Sequence, residues 1–147
     1  MSSKYSLESQ ELLQWAQAEY PTNPYFPEHL IYRSPSGTMV RSKSEALIAT
    51  LLFTNKIPFR YECALQLDDT TIYPDFTILH PITRQVYYWE HCGMMDSPVY
   101  AMKATKKLHL YTSHGFIPSI QLITTYESQT SPLDTTLFNT LIQYYFL

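Results

Sequence analysis

Over residues 6–19 (SLESQELLQWAQAE) the apolar positions Leu7, Leu12, Leu13, Trp15 and Ala16 form a stripe among Glu and Gln, the pattern of an amphipathic helix. Tyr20 to Gly37 carries Pro21, Pro24, Pro27 and Pro35 and breaks any regular period. It reads as an ordered, irregular arm whose aromatics pack on the body. Ser42 or Ser44 can cap a second helix running to about Asn55, with Ala46, Leu47, Ile48, Leu51 and Leu52 apolar. Residues 58–67 (PFRYECALQL) alternate as a strand, Asp68-Asp69 turns the chain, and residues 71–79 (TIYPDFTIL) form a second strand interrupted by Pro74. Proline inside a strand marks an edge, an end or a bulge. A third strand follows over 85–92 (QVYYWEHC) and ends at Gly93. Ser97-Pro98 opens a helix that Gly115 stops, residues 118–126 (PSIQLITTY) form a fourth strand, and residues 133–146, capped by Asp134, form a last helix.

This order predicts an α/β fold with a mixed sheet of about four strands flanked by helices. Three consecutive strands form a meander, and the fourth returns through a helix and must lie parallel to its neighbour. The core order is α-β-β-β-α-β, with an N-terminal helical extension. Residues 1–40 are expected to be that helix and arm, packed on a domain formed by residues 41–147.

At 147 residues the chain fits one domain, and 45% hydrophobic against 16% charged residues excludes disorder throughout. A net charge of −3 excludes a strongly basic coater of nucleic acid, so any positive surface must be local. The 13 tyrosines suit a core and a nucleic-acid surface equally well. Cys63 and Cys92 form no CxxC pair, which argues against structural zinc and leaves a disulfide open. No apolar run reaches the roughly 18 residues of a membrane span. MSSKYSLESQ has no signal-peptide core, so the cytoplasm is the expected compartment and no membrane partner is expected.

The candidate chemistry lies in carboxylates. Asp75 follows Pro74 within the second strand, and Glu90 lies on the third. Adjacent antiparallel strands can set two such positions side by side, within reach of one cation. Magnesium needs few carboxylates, because water and phosphate oxygens complete its shell. Glu90 lies in the apolar run VYYWEHC, where an unpaired carboxylate is costly. Glu45, in the first turn of the second helix, could extend toward the same metal; equally, it could be a capping acid favoured by the helix dipole. His91 points away from Glu90 in a regular strand, so its side chain reads as structural. His80, His109 and His114 are too scattered to make a zinc set. A nucleophilic Cys92 would need a paired base that no spacing provides. Arg41 and Lys43 are equally a phosphate contact or a solvated start to the helix.

SKSEA, YPDFTIL, YYWEHCG and KKLHLY, taken in that order, resemble the PD-(D/E)XK nuclease superfamily over about residues 41–126. VRSKSEALIA, YPDFTILHP and YWEHCGMMD also resemble the C-terminal part of larger bacterial or phage proteins, of which this chain would be a fragment or a short version. The resemblance implies a restriction-endonuclease-like core and metal-dependent hydrolysis of phosphodiester bonds. DNA is the expected substrate ahead of RNA, and a homodimer is compatible. Asp75 and Glu90 would bind Mg2+ or Mn2+, with Glu45 assisting and the His91 carbonyl as a further ligand. The family's lysine belongs two residues after Glu90, where this chain has Cys92. Some members carry the basic group on the following helix, and RecB-type nucleases carry a Gln-x-x-x-Tyr pair there. Lys107 and Tyr111 fit that spacing and share one helix face. Lys107 is therefore the expected replacement, ahead of Lys103 and Lys106, which read as solvated. The alternative is an inactive nuclease fold that binds nucleic acid or a protein partner.

Overall fold

The computed structural model describes residues 3–147, with side chains from residue 8 onward, so the expected contribution of Leu7 lies outside the described side chains. The chain is an α/β fold around a mixed four-stranded sheet. Its elements are α1 (Ser3–Gln17), β1 (Tyr32–Arg33), β2 (Met39–Val40), α2 (Lys43–Thr54), β3 (Phe59–Tyr61), β4 (Leu65–Leu67), β5 (Thr70–Ile72), β6 (Phe76–Leu79), β7 (Val86–Cys92), α3 (Pro98–Ser113), β8 (Leu122–Tyr126) and α4 (Thr135–Phe146). The sheet order is β3-β6-β7-β8. β3, β6 and β7 are antiparallel neighbours, and β8 joins β7 in parallel after the α3 crossover.

Residues 58–79 differ from the two long strands expected there. Glu62 takes a left-handed backbone (φ 50°) and ends β3; Tyr73-Pro74-Asp75 separates β5 from β6. β4 and β5 thus form a separate hairpin, turned at Asp68 (φ 55°). Proline has no N–H for a ladder, which explains the interruption at Pro74. The fourth strand is also shorter than residues 118–126, because Ile117 to Gln121 form a turn instead.

The alternation along β6 and β7 divides the core in two. Phe76, Ile78 and Trp89 face α2 and α4 and pack with Ile48, Leu52, Phe138 and Ile142. Trp89 is fully buried, and its Nε1–H donates to Thr125 Oγ1 at 3.0 Å. On the other face, Tyr88 and Leu122 pack with Tyr111, Leu108 and the β4–β5 hairpin under α3. Ser97 caps α3, with Pro98 at its first position, and Gly115 (φ 87°) follows its C-terminus, where a side chain would be strained.

The N-terminal segment is tied to the body at a few points. The Arg60 guanidinium lies 4.3 Å from the Trp15 ring and donates to the Trp15 carbonyl. Tyr20 exchanges hydrogen bonds with the backbone of Tyr61. Leu13 is 52% exposed, so the expected apolar stripe of α1 is only partly covered. No described helix is long and apolar enough to cross a membrane.

Candidate metal and phosphate site

The register of the central strands builds the site. Phe76 pairs with Trp89 across β6 and β7, and one further step sets Asp75 opposite Glu90. Glu90 lies two residues beyond Tyr88 and therefore points to the α3 face, as Asp75 does. Both line a cavity of about 220 Å³, together with His91, Cys92, Tyr100, Lys103, Ala104, Lys107 and Leu108.

Polar contacts fix each carboxylate by one oxygen. Asp75 Oδ2 accepts the His91 backbone N–H at 2.7 Å. Glu90 Oε1 accepts the Tyr111 hydroxyl at 2.6 Å and pairs with Lys107 Nζ at 2.8 Å. Lys107 also donates to the Tyr73 carbonyl at 2.9 Å, which sets the direction of its ammonium. No hydrogen bond among the described residues reaches Asp75 Oδ1 or Glu90 Oε2, yet no described buried side-chain oxygen lacks a partner. These two oxygens are therefore open to the cavity rather than sealed. Water can reach both.

The electrostatics follow from crowding. Burial, then the charges of Glu90 and Glu45, hold the Asp75 carboxyl well above the usual carboxylate range. Burial pulls the Lys107 ammonium down, but Glu90 and Asp75 outweigh it and keep Lys107 protonated above the ordinary lysine value. Burial and the charge of Glu90 raise Tyr111, so it remains a hydroxyl donor. Cys92 is pushed up to about 12 by burial and by the Glu90 and Asp75 charges. It stays a neutral thiol at ordinary pH.

The structure brings Asp75 and Glu90 together at the cavity but does not place Glu45 in its lining. Glu45 Oε1 accepts the Tyr61 hydroxyl at 2.8 Å and its Oε2 accepts the Ser42 hydroxyl at 2.7 Å, so both oxygens are held by hydroxyls. It does not line the cavity, and among the described residues no three His, Cys, Asp or Glu side chains gather to hold a metal. Glu45 is the acid of a helix cap whose charge Asp75 still feels. The His91 ring is on the opposite face, bonded to Thr125 and Glu127, while its carbonyl lies 3.5 Å from the Tyr100 hydroxyl. Arg41 spends its guanidinium on Glu62 and on the carbonyls of Tyr25 and Phe26, so it clamps the arm and does not stand in solvent.

Sequence reasoning missed Glu62, Tyr61 and Glu127. Glu62 had a usable signal: it lies in an apolar run, as Glu90 does, so a buried partner was required there too. Tyr61 and Glu127 gave none, because their partners are 16 or more residues away in sequence.

The donor set suits a hard, hydrated divalent cation better than a fully protein-coordinated one. With two carboxylates at the cavity, any ion held there would keep most of its own waters. No family model matches the chain, and neither does any curated protein or solved structure.

Proposed function

We propose that this protein is a divalent-metal-dependent nuclease of the PD-(D/E)XK type, acting in the cytoplasm on DNA ahead of RNA. The observation that carries the proposal is the convergence of Asp75, Glu90 and the Lys107 ammonium on one open cavity. Asp75 and Glu90 would hold Mg2+ or Mn2+ through Oδ1 and Oε2, with the His91 carbonyl nearby. Such an ion, when bound, supplies an activated water and offsets charge on a phosphate. Lys107 reaches the Glu90 carboxylate from the helix and so supplies the positive charge that Cys92 does not. Because it stays protonated, it acts as an electrostatic stabiliser of phosphate oxygens and not as a base. Tyr111 holds Glu90 in one rotamer from the same helix face, leaving the other oxygen turned to the cavity.

The test is a titration with Mg2+ or Mn2+, followed by calorimetry and by cleavage of labelled DNA. The wild type is expected to bind the ion and cleave; Asp75→Ala and Glu90→Ala are expected to do neither. Cleavage that persists in both variants would remove the proposal. A second reading is favoured by the neutral thiol of Cys92 in the strand position of the family's lysine. It is a nuclease fold that binds without turnover, and it predicts metal binding lost in Asp75→Ala but no cleavage by any form.

A further inference from the structure

Lys107 cannot easily serve both the acid pair and a long anionic substrate. Its ammonium has three donors, and two are committed to Glu90 and to the Tyr73 carbonyl. An ion on Asp75 and Glu90 would serve only the phosphate above it, and the rest of a phosphodiester strand approaches a chain of net charge −3. Productive approach therefore needs a second, uncommitted cation beside the cavity.

Lys103 is placed for it. It lies one turn before Lys107 on α3, so the two share a face, and it lines the same cavity as Asp75 and Glu90. It is exposed and forms no ion pair among the described residues. Lys106 is equally exposed on the same helix but does not line the cavity. The two lysines thus differ in direction and not in chemistry. We propose that Lys103 is the substrate-anchoring residue of this site, gripping a backbone phosphate of the nucleic acid next to the one over Asp75 and Glu90.

This rests on the nuclease proposal, and the experiment separates the two. Binding of a fluorescein-labelled DNA duplex is followed by anisotropy, with Ca2+ in place of Mg2+, over a series of salt concentrations. A contact with one phosphate accounts for about 0.9 in the slope of log K against log salt, which corresponds to about eightfold in affinity at 0.1 M salt. Lys103→Ala is expected to flatten the slope by about 0.9 and weaken binding about eightfold, alike for unrelated sequences. Lys103→Arg should restore most of the slope, and Lys106→Ala should change affinity less than about twofold. Thermal midpoints should match the wild type in all three, since both side chains are exposed. Equal losses in Lys103→Ala and Lys106→Ala, or an unchanged slope in Lys103→Ala, would overturn the assignment of Lys103 while leaving the nuclease proposal intact. A wild type that neither binds nor cleaves DNA would remove both.

Discussion

Replacing Lys107 by Met tests whether the acid pair is built for a cation. The apolar stem of the side chain is kept, and only the ammonium is lost. Glu90 is 8% exposed and Lys107 31%, so the variant strands a largely buried carboxylate that retains only the Tyr111 hydroxyl. Breaking a buried pair from one side costs about 3–5 kcal/mol. The partial exposure of Lys107 places the expected loss near the lower end, about 3 kcal/mol, or roughly 6–12 °C in melting temperature for a chain of this size. A divalent ion should reverse much of this. Removing the ammonium frees Glu90 Oε1 and takes away the charge that competes with the ion. An ion held only by the folded state adds about 2.7 kcal/mol at a hundredfold excess over its Kd. Urea denaturation in EDTA and in rising Mn2+ should therefore show a variant much weaker than the wild type without metal. The gap should narrow as Mn2+ is added, with an unchanged m-value. If Mn2+ shifts neither protein, or shifts both by the same increment, the Lys107 ammonium does not compete with an ion for the acid pair. A loss under about 1 kcal/mol in EDTA would show that Glu90 keeps its solvation without Lys107.

Two further outcomes follow from the carboxylates. The Asp75 carboxyl is raised by burial, then by Glu90 and Glu45, so the folded state holds its proton more tightly than the unfolded chain does. Its contribution to stability is complete below the ordinary aspartate range and is lost as pH rises through the raised value. In EDTA, Asp75→Asn should therefore gain stability relative to the wild type as pH rises from that range; a difference in urea midpoints that is flat with pH would contradict the assignment. Ser42→Ala removes both the N-cap of α2 and the partner of Glu45 Oε2. The expected loss is about 1 kcal/mol for the cap and about 1 kcal/mol for the stranded oxygen, measured by urea denaturation, and a loss below about 0.5 kcal/mol would refute it.

The sheet was legible because each of its signals is local. The apolar run QVYYWEHC, the turn at Asp68-Asp69 and the caps at Ser97 and Asp134 specify strands and helices without distant partners. The crossover through α3 then forces the parallel pairing of β8. What escaped was set by single backbone torsions and by distant partners. The left-handed Glu62 turns one expected strand into β3 and half of a separate hairpin, and nothing in its residue type demands that conformation. In the site, the spacing of Lys107 and Tyr111 was enough to put them on one helix face. It did not reveal that both end on a single oxygen of Glu90, because that depends on how α3 is rotated over the sheet. Glu45 shows the opposite failure. Its position in the first turn of α2 suits either a ligand or a cap, and the choice was made by the Tyr61 hydroxyl, 16 residues away in sequence.

Charge pairing around the sheet end links these particulars. Four carboxylates, Glu45, Glu62, Asp75 and Glu90, influence one another there. Arg41 pairs with Glu62 and Lys107 with Glu90, and among the described residues Glu45 and Asp75 have no cation of their own. Both of these are raised, first by burial and then by the neighbouring carboxylates. Their remedies differ. Glu45 has hydroxyl donors on both oxygens and can remain buried in either protonation state. Asp75 has one backbone donor, one oxygen on the cavity and only the more distant charge of Lys107 to offset its own, so under the proposed function a metal ion from solution would complete its neutralisation. The proposed function therefore rests on the incomplete neutralisation of Asp75 beside a Glu90 with one oxygen still open, and a fold-supplied cation on Asp75 would have made the cluster a buried ion-pair network.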